Sequence, residues 1–557
     1  MTAPDLVLLN ASVFDGRPQA PTRGAVAVHD GRIVARGTDD EISALRGEAT
    51  QVVDCRGGLL SPGFTDSHIH PVYAGTQMIQ CDLHEVTTAE ASIATVAAYA
   101  KENPDKEWVL GGGWSMEAFP GGIPTAAMLD SVVPDRPVFL PNRDGHGGWV
   151  NSEALRRAGI TRDTPDPADG RIERDEDGEP IGCLQEGAMA LVRRLVPDLS
   201  DDDNDRGLQA AQRYLFSLGI TGWQDAIISD SSGRSDNMAA YLRADAAGSL
   251  KARVVGALWW DRERGADQIP ELVQRRGDGS GRRFRATSVK IMQDGVAENF
   301  TAAMTEPYLD ACGCQSGNAG ISFVEPKALR SYVTDLDKLG FQVHFHALGD
   351  RAVREALDAL QAARETNGMN DLRHHLAHIQ VVHPDDIVRF AQLSVLANMQ
   401  PLWACHEPQM DELTIPFLGE PRWRYQYPFG DLLRAGATLV GGSDWSVSSP
   451  DVMWGAHVAV TRTPPPFDAH DHGDEEHEPF LPEQQLSLAQ ALSAYTHGSA
   501  LVNHAEQVVG TLDVGKEADL VVLDRDPFAG RPEDIHAAHP VQTYVAGELV
   551  WSSDGAA

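Results

Sequence analysis

The chain has 557 residues, of which 42% are hydrophobic and 23% charged, and its formal net charge is −35 at pH 7. This length exceeds the usual size of one hydrophobic core, so we expect several domains or one large barrel with insertions. The strong negative charge argues against nucleic acid or an anionic membrane as a partner, because both would be repelled. Solubility is a sufficient explanation for the charge.

Cysteine content and the terminal sequence bear on the cellular compartment. Six cysteines are too few for a disulfide framework in a chain of this length. Residues 1–5 contain neither the basic segment nor the apolar segment of a signal peptide. No run of about eighteen apolar residues occurs, so we expect no membrane span. These features predict a cytoplasmic protein.

The two ends of the chain share one pattern of short apolar runs. Residues 5–60 break these runs at turn signals such as Asp15-Gly16 and Asp30-Gly31. Apolar runs interrupted by Asp-Gly are typical of β-hairpins. The same pattern returns at 518–524, 541–545 and 549–551. We therefore predict one small β-sandwich built from residues 1–60 and 501–557.

Residues 61–500 alternate strand-like runs with longer helix-like stretches, which is typical of α/β units around a parallel sheet. The interval 84–205 is too long for one crossover, and we predict an inserted subdomain over the barrel mouth there. A closed (β/α)8 or TIM barrel needs eight strands. The run at 137–141 is also strand-like and is set aside. The predicted barrel strands are 64–70, 220–225, 253–258, 287–294, 341–346, 373–378, 395–400 and 438–444.

Several of these runs end in residues that can bind a metal ion. His68 and His70 stand one residue apart, so strand alternation points both imidazoles to one face. Neutral imidazole suits zinc and related divalent ions. Barrel enzymes place their chemistry at the carboxyl ends of the strands. The residues at those ends are His68, His70, Lys290, His346, His378 and Asp444.

Each of the six residues also has a purely structural explanation. Lys290 could pair with an acidic neighbour, Asp444 could cap a helix, and the histidines could be hydrogen-bonded core residues. Their shared position at the ends of strand-like runs favours a metal site over coincidence. His344 stands two residues before His346 and faces the same side of the strand, so it remains an alternative ligand.

The motifs together resemble those of the amidohydrolase superfamily, and specifically amidohydrolase family 3, which includes the N-substituted formamide deformylases. The resemblance covers nearly the whole chain and implies a (β/α)8 barrel flanked by a β-sandwich from the two termini. It rests on segments 63–70, 144–146 with 150–152, 289–295, 346–352, 378–380, 399–401, 442–445 and 510–520.

The resemblance implies one or two divalent metal ions, with zinc as the expected metal. A CO2-derived carbamate on Lys290 would bridge them, supplying oxygen ligands where an ammonium group would repel cations. His346 is preferred over His344 because it directly precedes Ala-Leu-Gly-Asp. The implied ligands of the first ion are His68, His70 and Asp444, and those of the second are His346 and His378.

The implied activity is hydrolysis of a C–N bond in an amide, formamide or cyclic amide of a small, partly apolar molecule by metal-activated water. Asp444 would serve as general base and then general acid, and His146 would stabilise the oxyanion. The expected partner is a small-molecule substrate, and the sequence also allows a homodimer. An ester, lactone or phosphoester substrate, or an inactive scaffold, remains an alternative. The predicted substrate-binding residues are Trp114, Trp149 and Trp445, although buried tryptophans are commonly core residues.

Overall fold

The centre of the molecule is a parallel sheet of eight strands that curls into a nearly closed barrel. The computed structural model describes residues 3–84, 86–197, 199–229, 236–466 and 478–555. Each barrel strand overlaps one of the eight predicted runs, so the predicted (β/α)8 barrel is confirmed. In spatial order the strands are Phe64–Ile69, Ile220–Ile228, Arg253–Trp259, Phe284–Met292, Gln342–Ala347, His375–His378, Leu396–Met399 and Leu439–Gly441.

Hydrogen bonds join the first and last barrel strands near their carboxyl ends. The Ser67 hydroxyl donates to the carbonyl oxygen of Gly441 over 2.7 Å. The backbone N–H of Asp444 donates to the carbonyl oxygen of His68, also over 2.7 Å. Asn398, on the neighbouring strand, donates through Nδ2 to the carbonyl oxygen of Ser67 over 3.0 Å. The two ends of the barrel sheet therefore meet beside the predicted ligands His68 and Asp444.

Both ends of the chain join in a second sheet of eight strands. Leu59–Pro62 links its two parts, because it pairs parallel with Leu6–Val13 and antiparallel with Leu520–Leu523. Side chains from both ends, among them Leu8 and Val522, share one buried apolar cluster. The predicted union of the two termini in β-structure is confirmed. The strands are Leu6–Val13, Thr22–His29, Arg32–Gly37, Gln51–Asp54, Leu59–Pro62, Leu520–Leu523, Pro540–Val545 and Glu548–Ser552.

A third sheet is formed by the long segment between the first two barrel strands. Its strand Val138–Pro141 lies within the strand-like run at 137–141. This strand belongs to the third sheet, so the prediction that the run is not a barrel strand is confirmed. In spatial order its strands are Gly170–Arg174, Pro180–Glu186, Gly147–Val150, Val138–Pro141, Val109–Gly112 and Cys81–Asp82.

Two helices that flank this third sheet in the sequence pack closely together. Helix Pro71–Met78 leads away from the first barrel strand, and helix Asp201–Ser217 leads back to the second. A Cβ atom on Gly75 would lie 2.0 Å from the carbonyl oxygen of Gly207. Only glycine permits this approach. The inserted segment therefore enters and leaves the barrel at one tightly packed place.

The remaining helices cover the barrel and the two other sheets. No helix among the described residues has both the length and the apolar composition that crossing a membrane requires. The α-helices are Asp39–Ser43, Pro71–Met78, Ala89–Glu102, Ala126–Asp130, Ser152–Ala158, Ala190–Arg193, Asp201–Ser217, Met238–Ala246, Ile269–Asp278, Pro326–Lys338, Asp350–Asn367, Pro384–Leu393, Ile415–Leu418, Phe429–Arg434, Val452–Thr461, Leu488–Ser493 and Ser499–Val502.

Candidate metal centre and active site

Three predicted ligands converge where the barrel closes. His68 lies on the first barrel strand, His70 precedes helix Pro71–Met78, and Asp444 follows the last barrel strand. The Nε2 atoms of His68 and His70 lie 3.2 and 2.9 Å from Oδ1 of Asp444. One ligand atom from each residue lies within 4.8 Å of the other two. The fold thus brings together residues that are far apart in the sequence.

The arrangement of this trio is compatible with a shared cation. Oδ1 of Asp444 is buried and has no hydrogen-bond partner among the described residues, despite its two short nitrogen contacts. Two ligand atoms about 2.1 Å from a tetrahedral zinc ion would stand roughly 3.4 Å apart. The observed separations of 3.2 and 2.9 Å are about 0.2 and 0.5 Å shorter than this value. The donor set of two imidazoles and one carboxylate also suits zinc.

The other three predicted ligands surround this trio. Nζ of Lys290 lies 3.5 Å from Nε2 of His68. Nδ1 of His378 lies 3.9 Å from Oδ2 of Asp444. The ring centres of His346 and His378 are 4.5 Å apart. The structure therefore gathers all six predicted ligands at one end of the barrel.

The backbone at two of these residues has a conformation that side chains normally avoid. His378 has φ of +77° and Asp444 has φ of +59°. Left-handed backbone at a residue other than glycine is uncommon and costs about 1–3 kcal/mol. Such strain is typical of functional sites, where the surrounding structure holds a side chain in a required direction. His378 is the last residue of its barrel strand, and Asp444 lies three residues beyond the last barrel strand.

Burial and neighbouring charges keep these groups in forms that can bind a metal. Burial and the nearby Lys290 lower the pKa of His68 to about 3, so its imidazole is neutral. Burial lowers the pKa of Lys290 to about 7, although the nearby Asp444 carboxylate acts to raise it. Burial alone would raise the pKa of Asp444, but His68 and His70 bring it well below its usual value. Metal ligands must be deprotonated, and these directions satisfy that requirement.

The two histidines of the fifth barrel strand have different surroundings. His346 lines the cavity above the site, and its Nε2 lies 3.4 Å from the carbonyl oxygen of Gly295. His344 is fully buried deeper in the barrel, and its Nε2 lies 2.7 Å from Nδ1 of His68. His344 therefore contacts the side of His68 that faces away from Asp444.

His146 reaches the cavity from the inserted segment. Its Nδ1 lies 3.0 Å from both carboxylate oxygens of Glu186, and Oγ1 of Thr301 donates to the same carboxylate over 2.8 Å. Burial alone would lower the pKa of His146, but the Glu186 carboxylate and Asp144 raise it to about 9. His146 is therefore an imidazolium at neutral pH, and its ring centre lies 5.9 Å from that of His346.

A cavity of about 280 Å³ adjoins these groups, and its walls combine aromatic and apolar side chains with many polar and charged ones. Trp114 and Trp445, two of the predicted substrate-binding residues, line it. Trp149 does not, because its ring packs in the core of the inserted sheet and its Nε1 donates to the carbonyl oxygen of Thr125. The expected contact between Trp149 and substrate is therefore corrected to a role in that core. The other apolar lining residues include Met116, Leu218, Leu402, Trp403, Met410 and Tyr427.

The family to which the chain belongs agrees with this geometry. A sequence model of the amidohydrolase family matches residues 51–551. The chain belongs to this family. It is 30% identical over 555 residues to the protein LONG AFTER FAR-RED 3 of Arabidopsis thaliana, which covers 98% of this chain and 91% of that protein. It is 26% identical over 566 residues to an N-substituted formamide deformylase of Arthrobacter pascens, which covers 99% of each chain.

Solved structures agree with this assignment. An uncharacterized metal-dependent hydrolase from Pyrococcus furiosus is similar to this chain with a TM-score of 0.69 and 25% sequence identity. The similarity covers 95% of this chain and 99% of that chain. The family and this structure together indicate a metal-dependent hydrolase with a divalent ion. The resemblance inferred from the motifs is confirmed at this level.

Sequence reasoning missed several residues of the amidohydrolase site. Glu186 had no assigned role, and only the fold shows that it holds His146. Trp403, by contrast, is one of the tryptophans that the sequence offers as pocket residues, and it lines the cavity and stacks on His378 with ring centres 5.4 Å apart. Glu298 lines the cavity from the long connection after the fourth barrel strand, where no local pattern marks it.

Proposed function

We propose that this amidohydrolase cleaves a C–N bond in an amide, formamide or cyclic amide of a small, partly apolar molecule. The observation that carries the proposal is the convergence of His68, His70 and Asp444 beside a cavity whose walls include aromatic and apolar side chains. A relative of the same length is named an N-substituted formamide deformylase, which supports the amide class. The walls formed by Trp403, Tyr427 and their neighbours suit an apolar substituent.

The proposed ligands divide into two sets. A divalent ion held by these residues, with zinc expected, would lower the pKa of a bound water molecule and polarise a carbonyl group. Lys290 contributes as a carbamate in this proposal. Its neutral amine attacks CO2, a new N–C bond forms, and one proton leaves the nitrogen. A pKa of about 7 leaves much of this amine neutral and reactive at physiological pH. The first set is His68, His70 and Asp444, and the second is Lys290, His346 and His378.

Asp444 has the properties that a proton carrier needs. Its carboxylate is ionised, because nearby imidazoles keep its pKa well below the usual value. It accepts a proton as water attacks the carbonyl carbon, and it delivers this proton to the nitrogen as the C–N bond breaks. Such a contribution is worth roughly 10²–10⁴-fold in rate.

His146 supplies positive charge on the wall of the cavity. Glu186 occupies its Nδ1, which leaves the Nε2–H group to donate to the oxygen of the tetrahedral intermediate. A charged donor held in place before the reaction costs no reorganisation when negative charge develops. Removing one such donor typically costs about 10²–10³-fold in kcat.

A matched substrate panel tests the bond class. Formamides, linear amides and cyclic amides would be compared with esters and lactones that carry the same apolar substituents. Released amine and released alcohol would be measured separately with zinc-, manganese- and cobalt-loaded protein. The control is His70→Ala, which lacks one proposed ligand. Amine release that depends on His70 supports the proposal. Ester turnover without any amine release would refute the C–N assignment, and wild-type protein that binds no metal would refute the site.

Asp444→Asn separates metal binding from proton transfer. The variant keeps the size of the side chain and one oxygen ligand, but it loses the charge and the basicity. With metal content restored to the wild-type level, we expect turnover to stay roughly 10²–10⁴-fold lower. Wild-type turnover in this metal-replete variant would assign the proton transfer to another group.

A further inference from the structure

The imidazole of His68 uses both of its nitrogens. Nε2 faces Asp444 and Lys290, and Nδ1 lies 2.7 Å from Nε2 of the buried His344. We propose that His344 is a positioning residue that holds His68 in the tautomer whose Nε2 lone pair is available to a metal ion. This inference rests on the metal site of the proposed function.

A neutral imidazole carries one proton, so its two nitrogens cannot both present a lone pair. Metal binding through Nε2 of His68 requires the proton to be on Nδ1. A buried N–H group needs an acceptor, since an unsatisfied buried donor costs about 1–3 kcal/mol. Within the described part of the chain, His344 Nε2 is the hydrogen-bond partner of His68 Nδ1. His344 must then be neutral with its own proton on Nδ1, which has no hydrogen-bond partner among the described residues, so the cost of an unpaired donor falls on His344 and not on the ligand His68.

The surroundings hold the His344 ring in place. Its exposed fraction is 0%. The ring of His375 lies against it with a centre-to-centre distance of 4.0 Å. Its position on the same strand as His346, two residues earlier, places it about 6.6 Å deeper in the barrel. His344 thus supports the site from below while His346 faces the cavity.

The partner ring of His375 has a proton position that the network defines. The backbone N–H of His378 donates to Oε1 of Gln400, which leaves Nε2 of Gln400 to donate to Oδ1 of Asn398. Asn398 then presents its Nδ2 as a donor to the carbonyl oxygen of Ser67 and to Nδ1 of His375. His375 therefore accepts at Nδ1 and carries its proton on Nε2.

This network has a consequence for metal binding. It connects the carbonyl oxygen of Ser67 to the backbone of His378 through side chains that have fixed donor and acceptor roles. The strands that carry two proposed ligands are thus held in register below the site. Within this frame, His344 is the group that decides which nitrogen of His68 carries a proton. Loss of its acceptor should weaken metal binding about 10–100-fold, as is typical for such outer hydrogen bonds.

The test measures zinc affinity by competition with a chromophoric chelator, independently of activity. His344→Phe keeps a ring against His375 but removes the acceptor, and His344→Leu is a second variant without an acceptor. His344→Gln can place Oε1 near the position of Nε2 and should restore most of the affinity. The control is His374→Leu, because His374 is an equally buried neighbour that bonds to Asp337 and to the backbone of Val343 instead of a ligand.

We expect His344→Phe and His344→Leu to lose about 10–100-fold in zinc affinity, whereas His344→Gln and His374→Leu stay near the wild-type value. Thermal unfolding of each metal-free protein separates this effect from lost stability. Wild-type zinc affinity in both acceptor-free variants would overturn the inference alone. Absence of zinc binding in the wild-type protein would instead overturn the proposed function, and this inference with it.

Discussion

Replacing Glu186 with glutamine removes a negative charge beside His146 and keeps the size of the side chain. The carboxylate raises the pKa of His146 from the usual 6.5 to about 9, although burial acts in the opposite direction. Without the Glu186 charge, burial still lowers the pKa of His146 while Asp144 and Asp444 still raise it, so the pKa falls towards its ordinary value. The catalytic role proposed for His146 needs the imidazolium, which is lost as pH rises through this pKa. The variant should therefore lose activity at lower pH than the wild type.

The size of the effect follows from these two pKa values. At about pH 8, a group with a pKa of about 9 is roughly 90% protonated, and a group with a pKa of about 6.5 is roughly 3% protonated. We expect kcat/KM of Glu186→Gln to be lower at that pH by up to about 30-fold, the value for complete loss of the shift, with the difference shrinking towards about pH 6. Divalent ions near His346 would lower both pKa values in the same sense, so the separation between the two profiles persists.

The assay is kcat/KM against pH with the best amide of the substrate panel, at constant metal content. Thr301→Val is the matched control, because it removes one hydrogen bond to Glu186 but leaves the charge in place. Its alkaline limb should move much less than that of Glu186→Gln. If wild type and Glu186→Gln showed superimposable alkaline limbs, the imidazolium would not be the group that supports catalysis.

Three further outcomes are expected. His70→Ala should lose bound metal and turnover while its far-ultraviolet circular dichroism is unchanged; full metal content by elemental analysis would contradict the ligand assignment. Lys290→Ala should lose turnover and regain part of it with added acetate, whereas Lys290→Arg should not, since its guanidinium keeps a positive charge; an acetate titration of both variants checks this. Asp337→Asn should weaken the dependence of unfolding free energy on pH. Burial alone would raise the pKa of Asp337, but His374, Asn367 and Asn370 lower it from 3.8 to about 2. The resulting stability is present above pH 3.8 and is lost as pH falls towards about 2, so wild type should lose more stability than the variant across that window in urea titrations.

The barrel could be predicted because its strands are marked by local pattern. Each barrel strand is a short apolar run, and six ligand-type residues lie at or near the ends of such runs. Strand alternation correctly placed His68 and His70 towards one site. Alternation could not separate His344 from His346, because residues two apart share a face. Depth along the strand separates them, and depth depends on where the barrel ends.

The parts that were missed depend on contacts between distant segments. Trp114 and Trp149 both follow glycine-rich turns, yet only Trp114 lines the cavity. Which indole is enclosed depends on how the inserted sheet packs, which composition does not encode. Glu186 meets His146 through antiparallel pairing of Gly147–Val150 with Pro180–Glu186, and no local signal fixes that register.

The position of the metal centre links its chemistry to the closing of the barrel. His68 lies on the first strand of the sheet and Asp444 follows the last, and a backbone hydrogen bond joins them directly. A cation bound by both residues would bind the closed barrel and not the unfolded chain. Such binding stabilises the folded state by about 2.7 kcal/mol when the free ion exceeds its Kd by about 100-fold. A substitution where the first and last barrel strands meet therefore acts on folding and on metal affinity together. The two effects can be separated only when stability is measured on the metal-free protein.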